Sequence, residues 1–159
     1  DIIFGDQNEW EIASGVPHIP FEALDENYVI DREAYLSYFR KMHRLFPKCK
    51  KMVMAVRNQI ASSHHTLSGL LYDTVEDQLY TTRIYDIQPI VDPMGVGDAF
   101  IAAYIHAHQK WGDENQYCLD FSLSASAIKN TIPGDQNLVS EEEIISNMTS
   151  SGGRIQRKE

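Results

Sequence analysis

The sequence predicts an α/β layer, a sheet whose strands are covered by helices, with its parallel part incomplete. Three observations point there. Short apolar runs of strand length stand at DIIFG (1–5) and KMVMAV (51–56). Strand-like and helix-like segments alternate only in the early part of the chain, where parallel crossovers would lie. From about residue 97 onward, helices dominate.

The first run ends on Gly5, as a buried strand bounded by a turn residue would. NEWEIAS (8–14) follows as a short helix with acidic residues near its N-terminus, where the helix dipole favours them. Residues 16–28 hold two prolines and read as a loop. From Asp31 to Phe46 the residues Ala34, Tyr35, Tyr38, Phe39, Met42 and Leu45 keep i, i+3, i+4 spacing. Asp31 is placed to cap this helix and Pro47 to stop it. KMVMAV is the second buried strand. LSGLLYD (67–73) and QLYTTRI (78–84) flank the turn-prone TVED and predict a hairpin. YDIQPIVD (85–92) is extended. Helices are expected at about 97–111, 115–131 and 140–148, with Pro133-Gly134 separating the last two.

Composition narrows the function. A net charge of −9 over 159 residues argues against a nucleic-acid partner, which needs a basic face. The basic stretch RKMHRLFPKCKK (40–51) and the tail RIQRKE read as a solvated helix face and a solvated terminus. Cys49 and Cys118 form no CxxC pair and read as reduced thiols of a cytoplasmic protein. No apolar run approaches the ~18 residues of a membrane span, so no membrane partner is expected. Asn147-Met148-Thr149 matches a glycosylation sequon by chance. The six histidines read as structural or solvated: His106 and His108 diverge on their helix, and alternation sends one of His64 and His65 inward. The chain opens on Asp1-Ile2-Ile3-Phe4, as if entered in mid-strand, and is expected to be a piece of a longer protein.

The chemistry-bearing stretch is VDPMGVGDAF (91–100), two glycines and an aspartate where a helix begins. A helix N-terminus presents unpaired N–H groups and a partial positive charge. Glycines there let the backbone approach an anion closely. A carboxylate would repel that anion, but it serves well as a base for the nucleophile that attacks it. The plainer reading of the same residues is a tight turn with Asp98 as a helix cap. It is not a P-loop, and it lacks the third glycine of a dinucleotide fingerprint.

In context DPMGVGD (92–98) resembles the DTxGAGD signature of the ribokinase-like (PfkB) family of carbohydrate kinases. SASAIKNTIPGDQNLVSEEEI (124–144) and GGRIQR (152–157) are similar to the matching stretches of 2-keto-3-deoxygluconate kinases. Asn8-Glu9-Trp10-Glu11 matches the family's NxxE motif. The resemblance covers nearly the whole chain. It implies that residues 1–159 are the C-terminal half of a PfkB-type kinase domain with a ribokinase-like three-layer α/β/α fold, the N-terminal half and lid lying elsewhere. It further implies ATP-dependent phosphorylation of a primary hydroxyl of a sugar acid, 2-keto-3-deoxygluconate. Alternatives are fructose, ribose or adenosine as acceptor, or a non-catalytic nucleotide-binding module.

Residue by residue, the resemblance makes Asp98 the catalytic base and the backbone at Gly95, Val96 and Gly97 the anion hole for the γ-phosphate. Asn8 and Glu11 would organise Mg²⁺ through water; otherwise they are a helix cap and a solvated first-turn acid. Arg57, in Ala55-Val56-Arg57 where the family has TxG, would meet a phosphate or the substrate, or is an ordinary surface cation. Asn130 would border the adenine, as would Ser124 and Ala127 unless they only pack against a neighbour. Asp92 either supports the turn or touches substrate. Met94 and Val96 depart from the family's threonine and alanine. Val96 supplies the same N–H, while Met94 removes a hydroxyl. The implied cofactors are ATP, Mg²⁺ and a monovalent cation. The implied partners are a sugar acid and ATP, with homo-oligomerisation through the lid of the absent half.

Overall fold

The computed structural model describes residues 1–19 and 29–150. The tail similarity at 152–157 and part of the proline-containing loop lie outside the described residues. Strand β1 (Ile2–Gly5) leads to helices α1 (Gln7–Ser14) and α2 (Arg32–Leu45). Strands β2 (Lys51–Ala61), β3 (His64–Asp73), β4 (Gln78–Thr81) and β5 (Tyr85–Ile87) follow without a helix between them. Helices α3 (Val96–Trp111), α4 (Asn115–Lys129) and α5 (Glu141–Thr149) complete the described chain.

β1 and β2 pair in parallel, and every other pairing is antiparallel. The sheet runs β1-β2-β3-β4, and β5 also pairs with β3. β4 and β5 therefore share one edge of β3: β4 takes Leu70 to Asp73, and β5 takes His65 to Leu67. Between them Thr82 bonds Gly69 in both directions, its N–H donating at 3.0 Å and its hydroxyl accepting at 2.8 Å.

The alternation of side chains along β2 and β3 divides the interior into two cores. Val53, Leu67 and Leu71 face α3, α4 and α5, where they meet Phe100, Tyr104, Leu119 and Phe121. Met52, Met54, Leu70 and Tyr72 face α1 and α2, against Trp10, Tyr38, Phe39 and Met42. A strand covered on both faces has no polar side, so residues 52–56 are apolar throughout, and Lys51 ahead of them turns its ammonium to Asp113. These are the three layers the sequence implied, with helices on both sides of a mixed sheet.

The helix starts follow local chemistry. Asp6 caps α1 and, with Glu9, completes a capping box; Asp31 caps α2; Ser140 and Glu143 form a second box at α5. Two expectations change. β2 continues past Val56 to Ala61, because its polar end is paired with β3 from Arg57↔Leu67 to Ala61↔His64. The hairpin expected around TVED is real, but it is the shorter of two. The longer one joins β2 to β3 through Ser62 and Ser63.

Phe39 anchors the α1/α2 layer. It is fully buried, stacks on Tyr72 at 5.7 Å and meets Trp10 and Tyr38 edge-on. Phe39→Ala should cost about 3–5 kcal/mol, the usual range for an aromatic truncated in a core. Urea unfolding followed by tryptophan fluorescence checks this, and a loss below about 1 kcal/mol would mean that the layer is not cooperatively packed.

Candidate active site

A cavity of about 490 Å³ opens where the C-terminal end of β1, the far part of β2 and the start of α3 meet. The first residues of α1, Gln7 and Asn8, form one wall. Ala55, Arg57 and Gln59 of β2 form another. Pro93, Val96 and Gly97 of the glycine turn face them, with Ser126 of α4 behind. Four of the expected site residues, Asn8, Arg57, Val96 and Gly97, thus converge on one space although they are distant in the chain.

The turn is shaped by Gly95, which caps α3 at φ 73°, in the left-handed region. A Cβ there would also lie 2.1 Å from the Asp135 carbonyl oxygen, so the position excludes a side chain twice over. Gly97 differs: a Cβ there would meet nothing within 4 Å, because the position faces the cavity. Unlike α1, α2 and α5, α3 begins with no side-chain cap, which leaves its first N–H groups to whatever enters the cavity. Asp98 stands in this first turn, exposed, beside Gly97.

The turn is held from behind. Asp92 accepts from the Met94 N–H at 2.9 Å and the Gly134 N–H at 2.8 Å, which keeps its carboxyl below the usual carboxylate range. Both oxygens are engaged, so Asp92 supports the turn. The Met94 side chain is exposed, and its N–H is secured without the hydroxyl that a threonine would add. Ser126 donates to the Val96 carbonyl at 3.0 Å. Asn130 is buried beneath the turn: its carbonyl accepts from Val91 and Asp92, and its amide donates to the Ser126 carbonyl at 3.0 Å. It does not line this cavity. Ser124 bonds the Ile144 carbonyl and Ala127 is fully buried in the core, both packing roles.

Glu11 lies on α1, one turn past Asn8. Its Oε2 accepts the His18 N–H at 3.1 Å and contacts the His18 ring nitrogen Nδ1, and these bonds hold its carboxyl below the usual range. His18 itself lines the cavity. Sequence reasoning missed it, because a histidine in a proline-containing segment seven residues from its partner carries no periodic signal. Of the other histidines, His64 contacts Asp86 and His65 points inward with both ring nitrogens unpaired. Among the described residues no cluster of three His, Cys, Asp or Glu side chains forms a metal site, and no helix is long and apolar enough to cross a membrane. Both cysteines are buried free thiols.

No family model and no curated protein matches the chain. Solved structures do. A 2-dehydro-3-deoxygluconokinase from Thermotoga maritima superposes with a TM-score of 0.79 at 26% identity, over 94% of this chain and 41% of that one. A PfkB family carbohydrate kinase from Listeria grayi gives 0.74 at 25% identity, over 94% and 41%. The Arabidopsis thaliana ribokinase complexed with ribose and ATP gives 0.62 at 18% identity, over 95% and 41%. The chain therefore has the ribokinase-like fold of these PfkB-family carbohydrate kinases and matches a C-terminal part of them, spanning about two fifths of their length.

The two glycines of the turn should separate in their effects. Gly95→Ala should lower the melting temperature by several degrees, since strain and collision together cost on the order of 2 kcal/mol or more. Gly97→Val should leave the melting temperature nearly unchanged and weaken nucleotide binding at least about tenfold, by filling the space that a phosphate would take. Val96→Ala should do neither. Thermal unfolding and calorimetric titration of a non-hydrolysable ATP analogue, which keeps the γ-phosphate, check all three. Equal nucleotide affinity for Gly97→Val and the native protein would place the phosphate elsewhere.

Proposed function

We propose that this chain is the C-terminal half of an ATP-dependent sugar-acid kinase that phosphorylates a primary hydroxyl of 2-keto-3-deoxygluconate. One observation carries the reading. The uncapped start of α3, with glycines at its turn and Asp98 in its first turn, faces a cavity whose opposite wall presents Arg57 and Asn8. Its placement within a ribokinase-like fold supports the same reading, as does the similarity to the Thermotoga maritima 2-dehydro-3-deoxygluconokinase.

In this reading the N–H groups at Gly95, Val96 and Gly97 hold the γ-phosphoryl oxygens and stabilise the charge they carry in transfer. Asp98 takes the proton from the acceptor hydroxyl. An oxygen lone pair then forms the new O–P bond as the bond between the γ-phosphorus and the β–γ bridging oxygen breaks, and ADP leaves with that electron pair. Arg57 neutralises phosphate or substrate charge from the β2 side; no ion pair to it forms among the described residues. Asn130 acts through the turn that it supports.

The residues at the start of α1 fit a Mg²⁺ ion. Asn8 offers an amide oxygen on the cavity wall, and Glu11 Oε1 has no hydrogen bond among the described residues while His18 occupies Oε2. With so few protein oxygens, these side chains would hold the ion mainly through water while the phosphates supply direct ligands, and the ion would neutralise phosphate charge.

Phosphate transfer from ATP to 2-keto-3-deoxygluconate, fructose and ribose tests the reading in the intact protein. The sugar acid should be the preferred acceptor, and Asp98→Asn should lower turnover at least about a hundredfold while nucleotide affinity holds or improves. The 159-residue chain alone should transfer no phosphate to any of the three. Preference for fructose would overturn the substrate, near-normal turnover of Asp98→Asn would overturn the base, and transfer by the chain alone would overturn the division into halves.

A further inference from the structure

Lys129 ends α4 and is completely buried. Its ammonium donates to the Ile132 carbonyl at 2.9 Å and, more weakly, to the Asp92 carbonyl at 3.4 Å. No carboxylate forms an ion pair with it among the described residues, although its charge reaches the Asp92 carboxyl. A buried charge met by neutral carbonyls is costly, and an apolar side chain of similar size would fill the same space without that cost. Core packing alone does not account for a lysine here.

Its two carbonyl partners explain it. Asp92 begins the glycine turn, and Ile132 begins the segment whose Gly134 N–H and Asp135 carbonyl press against that turn. Lys129 sits between these two segments and draws a carbonyl from each toward one positive charge. Neighbouring oxygens are already engaged: Asp92 Oδ1 and Oδ2 by the Met94 and Gly134 N–H groups, the Asn130 carbonyl by Val91 and Asp92, and the Val96 carbonyl by Ser126.

We infer that Lys129 is the internal cation of the glycine turn, a positioning residue that holds the two segments together in place of a bound alkali cation. This deepens the phosphate-binding reading of that turn and rests on it. The monovalent cation implied by the sequence resemblance does not fit behind the turn: the Asp92 and Ile132 carbonyls already carry ammonium protons, and a second positive charge beside Lys129 would be repelled. The amides at Gly95, Val96 and Gly97 are kept in place by a charge that is part of the chain and does not depend on salt composition.

The test uses the intact protein, with the Mg²⁺ complex of a non-hydrolysable ATP analogue titrated by calorimetry in KCl and in choline chloride at equal ionic strength. Native affinity should agree between the two salts within about twofold, since nothing needs to be supplied from solution. Lys129→Gln should bind about tenfold more weakly in choline chloride, as slack enters the turn, and recover part of the loss in KCl. Independently of nucleotide, amide hydrogen exchange at Val91, Asp92 and Gly134 should quicken at least about fivefold in Lys129→Gln, while Leu70 in the sheet keeps its protection. Lys129→Met is the second variant and should show the same local loosening without a fall in melting temperature. A native affinity at least about tenfold higher in KCl overturns the inference, as does unchanged exchange at the three amides in both variants. Absence of nucleotide binding in either salt would count against the proposed function, and the exchange measurement would still decide the role of Lys129.

Discussion

The site depends on the contact between Gly95 and the Asp135 carbonyl, where two backbones approach so closely that no side chain fits between them. That contact fixes the left-handed turn, and the turn fixes where α3 begins and which way its first N–H groups point. Asp92 joins the two backbones from one side through Met94 and Gly134. α4 closes them from the other, through Ser126 on Val96, the Asn130 carbonyl on Val91 and Asp92, and the Lys129 ammonium. The anion-facing surface of the turn is therefore backbone, held by side chains of which only Ser126 lines the cavity. Such an arrangement is pre-organised, because nothing has to move for the amides to meet a phosphate.

The sheet supplies the other wall. β2 is buried on both faces along residues 51–54, is paired only with β3 from Ala55 onward, and leaves the cores after Val56. Its emerging end carries Arg57 and Gln59 to the cavity, while the buried part stays clamped between the helix layers. One strand thus joins a rigid base to a polar, accessible tip, a common way to place binding residues on a scaffold. The acidic start of α1 completes the enclosure, with Glu11 turned toward His18 and Asn8 toward the open space.

Much of this was legible in the sequence, for identifiable reasons. The i, i+3, i+4 pattern from Ala34 to Leu45 and the cap at Asp31 mark α2 because both signals are local. GVGD marks the turn because the left-handed backbone at Gly95 calls for glycine locally, while its contact with Asp135 leaves no separate trace in the sequence. The extension of β2 to Ala61 was not legible: residues 57–61 mix polar and apolar side chains without a strand pattern and are strand because β3 pairs with them. Lys129 was equally opaque, since a lysine in the last turn of a helix ordinarily lies in solvent beside the dipole, and only the folded chain shows it sealed under the turn. Asn130 illustrates the reverse. The family resemblance set it beside an adenine, and in the folded chain its side-chain amide and backbone carbonyl also satisfy backbone groups at the turn. His18 reaches the cavity through a loop, and sequence spacing carries no record of loop paths.

The central claim is that an anion caps the open start of α3. The most direct measurement is the change in backbone amide chemical shifts of the intact protein on titration with the Mg²⁺ complex of a non-hydrolysable ATP analogue. The account predicts that the largest changes fall on Val96, Gly97 and Asp98, with a second group at Arg57 and Gln59 across the cavity. Changes concentrated on another surface, with those three amides unmoved at saturation, would contradict it.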